Sequence, residues 1–177
     1  MTTIKASLSA QKTLNDLISG NLRYSKGQST PRPHAEELKK SQSPQAPKAV
    51  VLSCLDSRVP VEQLFDQGIG DLFVGRVAGN VVNDDIIGSM EFATVISGTE
   101  VIIVLAHTSC GAVHGACAGA ELGKLTGLLN KIQTILPEAT LNFTGETTPE
   151  NPVFVDYVAE CNARKSVKDI REASPSM

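Results

Sequence analysis

Tryptophan is absent from this chain of 177 residues, and five phenylalanines with two tyrosines bring the aromatics to only 4%. Long apolar runs are missing as well: the most hydrophobic stretch, VIIVLA at 101–106, is far too short to cross a bilayer. The first residues, MTTIKASLSAQKTL, lack the apolar centre of a secretory signal, so a cytoplasmic location is expected. Nor is there an excess of basic charge. Sixteen Lys and Arg against 19 Asp and Glu leave a net charge of −3, and the cations are scattered. Without a basic stripe, neither nucleic acid nor an anionic membrane is an expected partner. Cysteine is scarce too, and Cys54, Cys110, Cys117 and Cys161 form no compact disulfide framework. In a reducing compartment they read as ligands, catalysts or small core residues. GIGDLFVG (68–75) and GAELGKL (119–125) lack the spacing of a dinucleotide fingerprint or a phosphate loop, and both read as turns.

What the chain does contain is an alternation of short apolar strands and helical patterns. Leu14, Leu17, Ile18 and Leu22 recur at helical spacing and predict an amphipathic helix over 9–24. A polar loop and a short solvated helix, HAEELKKSQ, follow. KAVVLSC (48–54) reads as a strand buried on both faces, DLFVGRV (71–77) as a second and EVIIVLA (100–106) as a third. Between the last two, NDDIIGSMEFATVIS (83–97) predicts one helix with acids at its N-terminus, where the macrodipole favours them. Further helices are expected at 110–118, 125–136 and 153–172, with PEATLNFTGETTPENP as a loop. Such alternation means an α/β fold with a mostly parallel sheet of about four strands flanked by helices. No repeat, low-complexity tract or linker divides the chain, so residues 1–177 read as a single domain. Residues 1–47 form an N-terminal helical arm and loop, and 48–177 an α/β core.

The chemistry gathers just beyond two of those strands. VLSCLDSRVP packs Cys54, Asp56 and Arg58 behind the first, and HTSCGAV sets His107 and Cys110 behind the third. In open parallel sheets, ligands bind at the carboxyl ends of the strands. If the two strands are neighbours, two thiols and an imidazole converge, a suitable ligand set for Zn²⁺ with a fourth position for water or a carboxylate. Cys110 would open a helix, whose dipole favours its thiolate. Against this stands the ordinary fate of cysteine as core filler, which is the reading for Cys117 and Cys161. His34 and His114 have no partner in sequence and read as surface residues. Asp56 and Arg58 alone would be a structural ion pair.

CLDSR followed by HTSC resembles the paired motif of the β-class carbonic anhydrases, C-x-D-S-R with H-x-x-C. The likeness extends to LISGNLRYSKG, GDLFVGRVAGN, GSMEFA and NARKSVKDIREASP, which covers most of the chain. The resemblance implies one Zn²⁺ per chain held by Cys54, His107 and Cys110, with Asp56 an alternative fourth ligand. It implies reversible hydration of CO₂ to bicarbonate and a proton. Asp56 would orient the attacking water, and Arg58 would hold Asp56 through a bidentate pair that lysine could not copy. Gln45 matches a substrate-binding glutamine, Phe73 and Phe92 match the walls of the CO₂ pocket, and Gly111 a glycine that lets backbone approach the site. Phe92 replaces a common tyrosine. Val51 stands where bicarbonate-inhibited members carry tryptophan, so their allosteric pocket is not expected.

The resemblance further implies a homodimer clasped by the first helix, with each site completed by the neighbour. The family's C-terminal edge strand is missing after REASPSM, so no stable tetramer is expected. Two other readings stay open: a catalytically silent zinc-binding homologue, and a hydrolase of a CO₂ analogue such as CS₂. The intact Asp56 and Arg58 speak against the first, since a purely structural zinc needs neither.

Overall fold

The computed structural model describes residues 7–42 and 44–177; the first six residues of the N-terminal arm, and Ser43, lie outside the described residues. Three strands form where the apolar runs lie: β1 (Ala49–Ser53), β2 (Leu72–Arg76) and β3 (Ile102–Leu105). They pair in parallel in the order β2-β1-β3, with Ser53 opposite both Arg76 and Leu105. Three strands, rather than about four, make up the sheet among the described residues.

β1 lies in the middle and every residue of it is buried, as a strand covered on both faces requires. Val50 and Leu52 share one face and pack with Met90, Ala93 and Ile170. A larger apolar cluster, with Val113, Leu129, Ile132, Phe154 and Val158, includes Cys54 and Cys110. β3 is the most apolar strand but only half-buried, because it sits at an edge of the sheet.

The helices are α1 (Leu8–Ser25), α2 (His34–Lys40), α3 (Val61–Leu64), α4 (Asp84–Glu91), α5 (Gly111–Cys117), α6 (Gly123–Gln133), α7 (Leu136–Asn142) and α8 (Pro152–Ala173). Two departures from the sequence pattern stand out. The helix expected over 83–97 starts as predicted, with Asn83 capping Ile86 and acids in its first turn, but Phe92–Ile96 widens into a π-helical turn. There the Thr94 hydroxyl donates to the Met90 carbonyl at 2.8 Å. The loop expected over 137–152 instead begins inside α7. Pro137 occupies its first turn, where a missing N–H costs nothing, and Ala139 is fully buried.

α1 seats itself on the α3 turn of its own chain. Gly20 lies so close that a Cβ there would fall 1.8 Å from the Phe65 carbonyl oxygen, and Asn21 donates to the Leu64 carbonyl at 3.0 Å. Leu17 is buried, whereas Ile18 and Leu22 remain about half exposed, at 50% and 52%.

The arm is tied down by Asp66, a buried carboxylate at a left-handed φ of 50°. It accepts from Arg23 Nε at 2.5 Å, from the Thr30 amide at 3.0 Å and from the Thr30 hydroxyl at 2.9 Å. Burial pushes this carboxyl up, but the donors of Arg23 and Thr30 outweigh it and hold its pKa at about 2, below the ordinary 3.8. A depressed pKa stabilises the fold above the unfolded value, and the contribution disappears as pH falls through the folded one. Unfolding free energy should therefore drop between about pH 4 and pH 2. Asp66→Asn should be less stable at neutral pH and should flatten that part of the profile, as urea titrations at stepped pH would read. An unchanged acid limb in Asp66→Asn would remove Asp66 as its source.

Candidate metal centre

β1 and β3 run side by side, so the segments that leave their carboxyl ends emerge together. Cys54 follows β1 directly, and Cys110 forms the N-cap of α5 after the short turn that leaves β3. The two sulfurs lie 3.8 Å apart. With His107 they form a group whose ligand atoms all fall within 4.8 Å of one another. Cys54 and Cys110 are buried, at 3% and 2% exposure.

His107 reveals which nitrogen is free. Its Nδ1 lies 2.8 Å from the Thr108 carbonyl oxygen, which can only accept, so Nδ1 carries the proton. Nε2 then presents a lone pair, and it is buried with no hydrogen-bond partner. A buried acceptor without a donor costs free energy unless a cation satisfies it. Two soft sulfurs and this imidazole nitrogen fit a tetrahedral site for a borderline ion such as Zn²⁺, with one position open.

The two thiols are not equivalent. Burial pushes Cys54 up, but the amides of Asp56 and Gly79, at 3.4 and 3.3 Å, donate to its sulfur and lower its pKa. Cys110 is raised, first by burial and also by neighbouring Cys54, against the amides of Val113 and Ala112. The helix N-terminus expected to favour a Cys110 thiolate is present, but desolvation and the second sulfur override it.

Beside the sulfurs, Asp56 is fully engaged by Arg58. Oδ1 accepts from the Arg58 amide and from Nε, both at 2.9 Å, and Oδ2 accepts from Nη2 at 2.7 Å. This fork holds the Asp56 carboxyl well below the usual carboxylate range. Oδ2 is 3.9 Å from His107 Nε2, so the carboxylate borders that nitrogen while turned toward the guanidinium.

Several positioning groups lie outside the motifs. Arg76, at the end of β2, donates to the carbonyls of Cys54 (3.0 Å) and Leu55 (3.3 Å) and also to that of Asp56. Asn162 of α8 donates to the Gly79 carbonyl at 2.8 Å, holding the turn whose amide reaches Cys54. Asp156, also of α8, accepts from the Ser109 amide at 2.7 Å. A charged residue ending an otherwise apolar strand was the one available hint for Arg76. Nothing local marks the two α8 residues.

Of the remaining matched positions, Gln45, Phe73 and Phe92 line clefts that do not include Cys54, His107 or Cys110. Gln45 lines an open cleft with Arg32, Lys40 and Asp71. Phe73 and Phe92 meet edge to face, 6.1 Å between centroids, in an apolar groove with Val50, Val74 and Met90. Gly111 follows Cys110, and a Cβ there would meet nothing within 4 Å. Cys117 and Cys161 pack against the larger core cluster, while His34 and His114 are exposed.

Comparison with known proteins gives the same direction. The carbonic anhydrase family model matches residues 49–177. Carbonic anhydrase 2 of Mycobacterium tuberculosis is 42% identical over 99 residues, 55% of this chain and 48% of the relative. A carbon disulfide hydrolase of Saccharolobus solfataricus is 35% identical over 115 residues, 62% of this chain and 55% of the relative. The chain thus spans about half the length of the curated relatives it matches. A tetrameric β-carbonic anhydrase of Sordaria macrospora superposes with a TM-score of 0.71 at 23% identity, over 93% of this chain and 83% of that one. That likeness carries the fold.

Proposed function

The chain belongs to the carbonic anhydrase family, with the fold of its β class, and from that premise we propose that it catalyses the reversible hydration of CO₂ to bicarbonate and a proton. One observation carries the proposal: the unpartnered His107 Nε2 among two cysteine sulfurs, bordered by an Asp56 locked to Arg58. Cys54, His107 and Cys110 would hold one Zn²⁺ per chain. When bound, zinc supplies the Lewis acidity that makes water a nucleophile at neutral pH.

The chain's own groups do the rest. Asp56, ionised and fixed by Arg58, would accept a hydrogen bond from the O–H that the nucleophile keeps, which aims the oxygen's lone pair at carbon. Arg58 spends both arms of its fork on Asp56, which keeps that carboxylate an acceptor and withholds it from the role of fourth ligand. Phe73 and Phe92 would wall the CO₂ pocket, Gln45 would hydrogen-bond substrate, and Gly111 would let backbone approach the site.

Those pocket residues support a second part of the proposal, a homodimer with shared sites. Gln45, Phe73 and Phe92 lie in clefts whose linings do not include Cys54, His107 or Cys110, and α1 leaves Ile18 and Leu22 half exposed for a second copy to cover. Light scattering should give twice the chain mass. Mixed Asp56→Asn and Gln45→Ala chains should partly regain activity, because half of a mixed dimer's sites are intact if Gln45 acts across the interface. Proven heterodimers of impaired parents with no recovery would return Gln45 to its own subunit.

We propose a cytoplasmic location. Among the described residues no helix is long and apolar enough to cross a membrane. Stopped-flow CO₂ hydration with metal analysis tests the main reading: one zinc per chain and rapid hydration are expected. Zinc without hydration would favour a silent homologue. The S. solfataricus relative supports a second reading, which CS₂ hydrolysis without CO₂ hydration would establish instead.

A further inference from the structure

The peptide unit joining Thr108 to Ser109 is gripped at both ends. Its carbonyl accepts from His107 Nδ1 at 2.8 Å, and its N–H donates to Asp156 Oδ1 at 2.7 Å. The next carbonyl, that of Ser109, accepts from Arg58 Nη2 at 3.1 Å. Ser109 itself is held at a left-handed φ of 54°, where a residue with a Cβ costs roughly 1–2 kcal/mol. Such a turn persists because its surroundings hold it.

From this geometry we propose that Asp156 is a positioning residue for His107, acting through one amide plane. A carboxylate on the N–H side polarises the peptide and strengthens its carbonyl as an acceptor on the other side. The strengthened carbonyl holds the His107 proton on Nδ1 and leaves the Nε2 lone pair pointing among the sulfurs. A carboxylate partner behind a ligating histidine is a known way to set tautomer, ring angle and basicity. Here a peptide group stands between carboxylate and imidazole and transmits the effect. His107, Thr108 and Asp156 border a common surface cleft with Tyr157 and Glu160, so water has access to the back of this turn. Without the carboxylate the peptide is free to rotate, which turns the Thr108 carbonyl away from the ring and releases the proton to Nε2.

This inference rests on the reading of Cys54, His107 and Cys110 as metal ligands, but its first readout needs no metal. The chain has three histidines, and His34 and His114 are exposed, so long-range ¹⁵N–¹H correlation on histidine-labelled, metal-free protein can report the His107 tautomer. Wild type should be protonated at Nδ1. Asp156→Ala should shift the population toward Nε2–H, and Asp156→Asn, which keeps an acceptor oxygen, should restore it. Competition for Zn²⁺ with a chromophoric chelator should show Asp156→Ala about 10–100-fold weaker, with Asp156→Asn within a few-fold of wild type. Glu160→Ala, which removes an exposed pair with Arg164 one turn along α8, should change neither readout. Should Asp156→Ala fail to fold, Asp156→Ser, whose oxygen falls short of the Ser109 amide, carries the same expectation. An unchanged tautomer and unchanged Zn²⁺ affinity in the folded variant would overturn the proposal, as would equal effects from Glu160→Ala. Wild type that binds no Zn²⁺ would reject the ligand reading, and the tautomer would still decide the role of Asp156.

Discussion

Purified Cys110→Ser should come out folded and nearly free of zinc. The substitution changes one atom in a site that is 2% exposed, so packing in the surrounding cluster of Val113, Ala116 and Leu129 should survive. Ligation should not. A serine hydroxyl does not ionise near neutral pH, and it replaces a soft donor with a hard, neutral one. Cys54 and His107 would remain, two ligands where a catalytic zinc site ordinarily has three from the protein. Losing a direct ligand should exceed the roughly 10–100-fold cost of losing an outer partner. CO₂ hydration should fall with the metal. Circular dichroism separates this from unfolding, and metal analysis of the folded variant decides the matter. Wild-type zinc content in Cys110→Ser would dismiss the assignment of this ligand.

The cluster of Cys54, His107 and Cys110 could be read from sequence because each half of it is local. KAVVLSC and EVIIVLA announce strands by their apolar runs, and the residues that follow a strand must emerge at its carboxyl end. Only the neighbourhood of β1 and β3 had to be supplied by the fold, and their parallel pairing supplies it. What the local pattern does not reveal depends on register or on distant segments. Arg76 reaches the Cys54 carbonyl because parallel pairing sets it opposite Ser53, a fact of alignment between two strands. Asp156 and Asn162 meet their partners only after α8 packs against β3 and α5. α7 was hidden for a different reason. LPEATLN contains proline, threonine and asparagine, poor formers for so short a helix. Tertiary contact holds it: Ala139 is buried, Leu136 packs on the core, and Phe143 beyond its end stacks near Phe154 and Tyr157. The Cys110 thiol is likewise a tertiary matter. Its helix N-terminus is visible in the sequence, but the depth of burial and the second sulfur that override it are not.

Asp56→Asn should keep its zinc and lose about 10²–10⁴-fold in CO₂ hydration, the usual scale for a positioned proton acceptor. Cys54, His107 and Cys110, the proposed ligands, are unchanged, so metal content should match wild type. The carboxylate's geometry, however, cannot survive. Oδ1 of an asparagine can still accept from the Arg58 amide and Nε, but its NH₂ would then face Nη2, donor against donor, across a contact that is now 2.7 Å. Either the amide flips and breaks the bonds at Oδ1, or the guanidinium leaves. In both cases a group that only accepted protons now also donates, and the water it should orient meets the wrong partner. Arg58→Lys separates the two roles within the pair. It keeps a positive charge beside an ionised Asp56 but cannot reproduce the fork or reach the Ser109 carbonyl at the same time. Its loss should be smaller than that of Asp56→Asn, and again without loss of zinc. Rates measured by stopped flow on variants of matched zinc content would show the order. If Asp56→Asn hydrates CO₂ as fast as wild type, Asp56 has no part in orienting the nucleophile, and its bond to Arg58 serves only to fix the loop that carries Cys54.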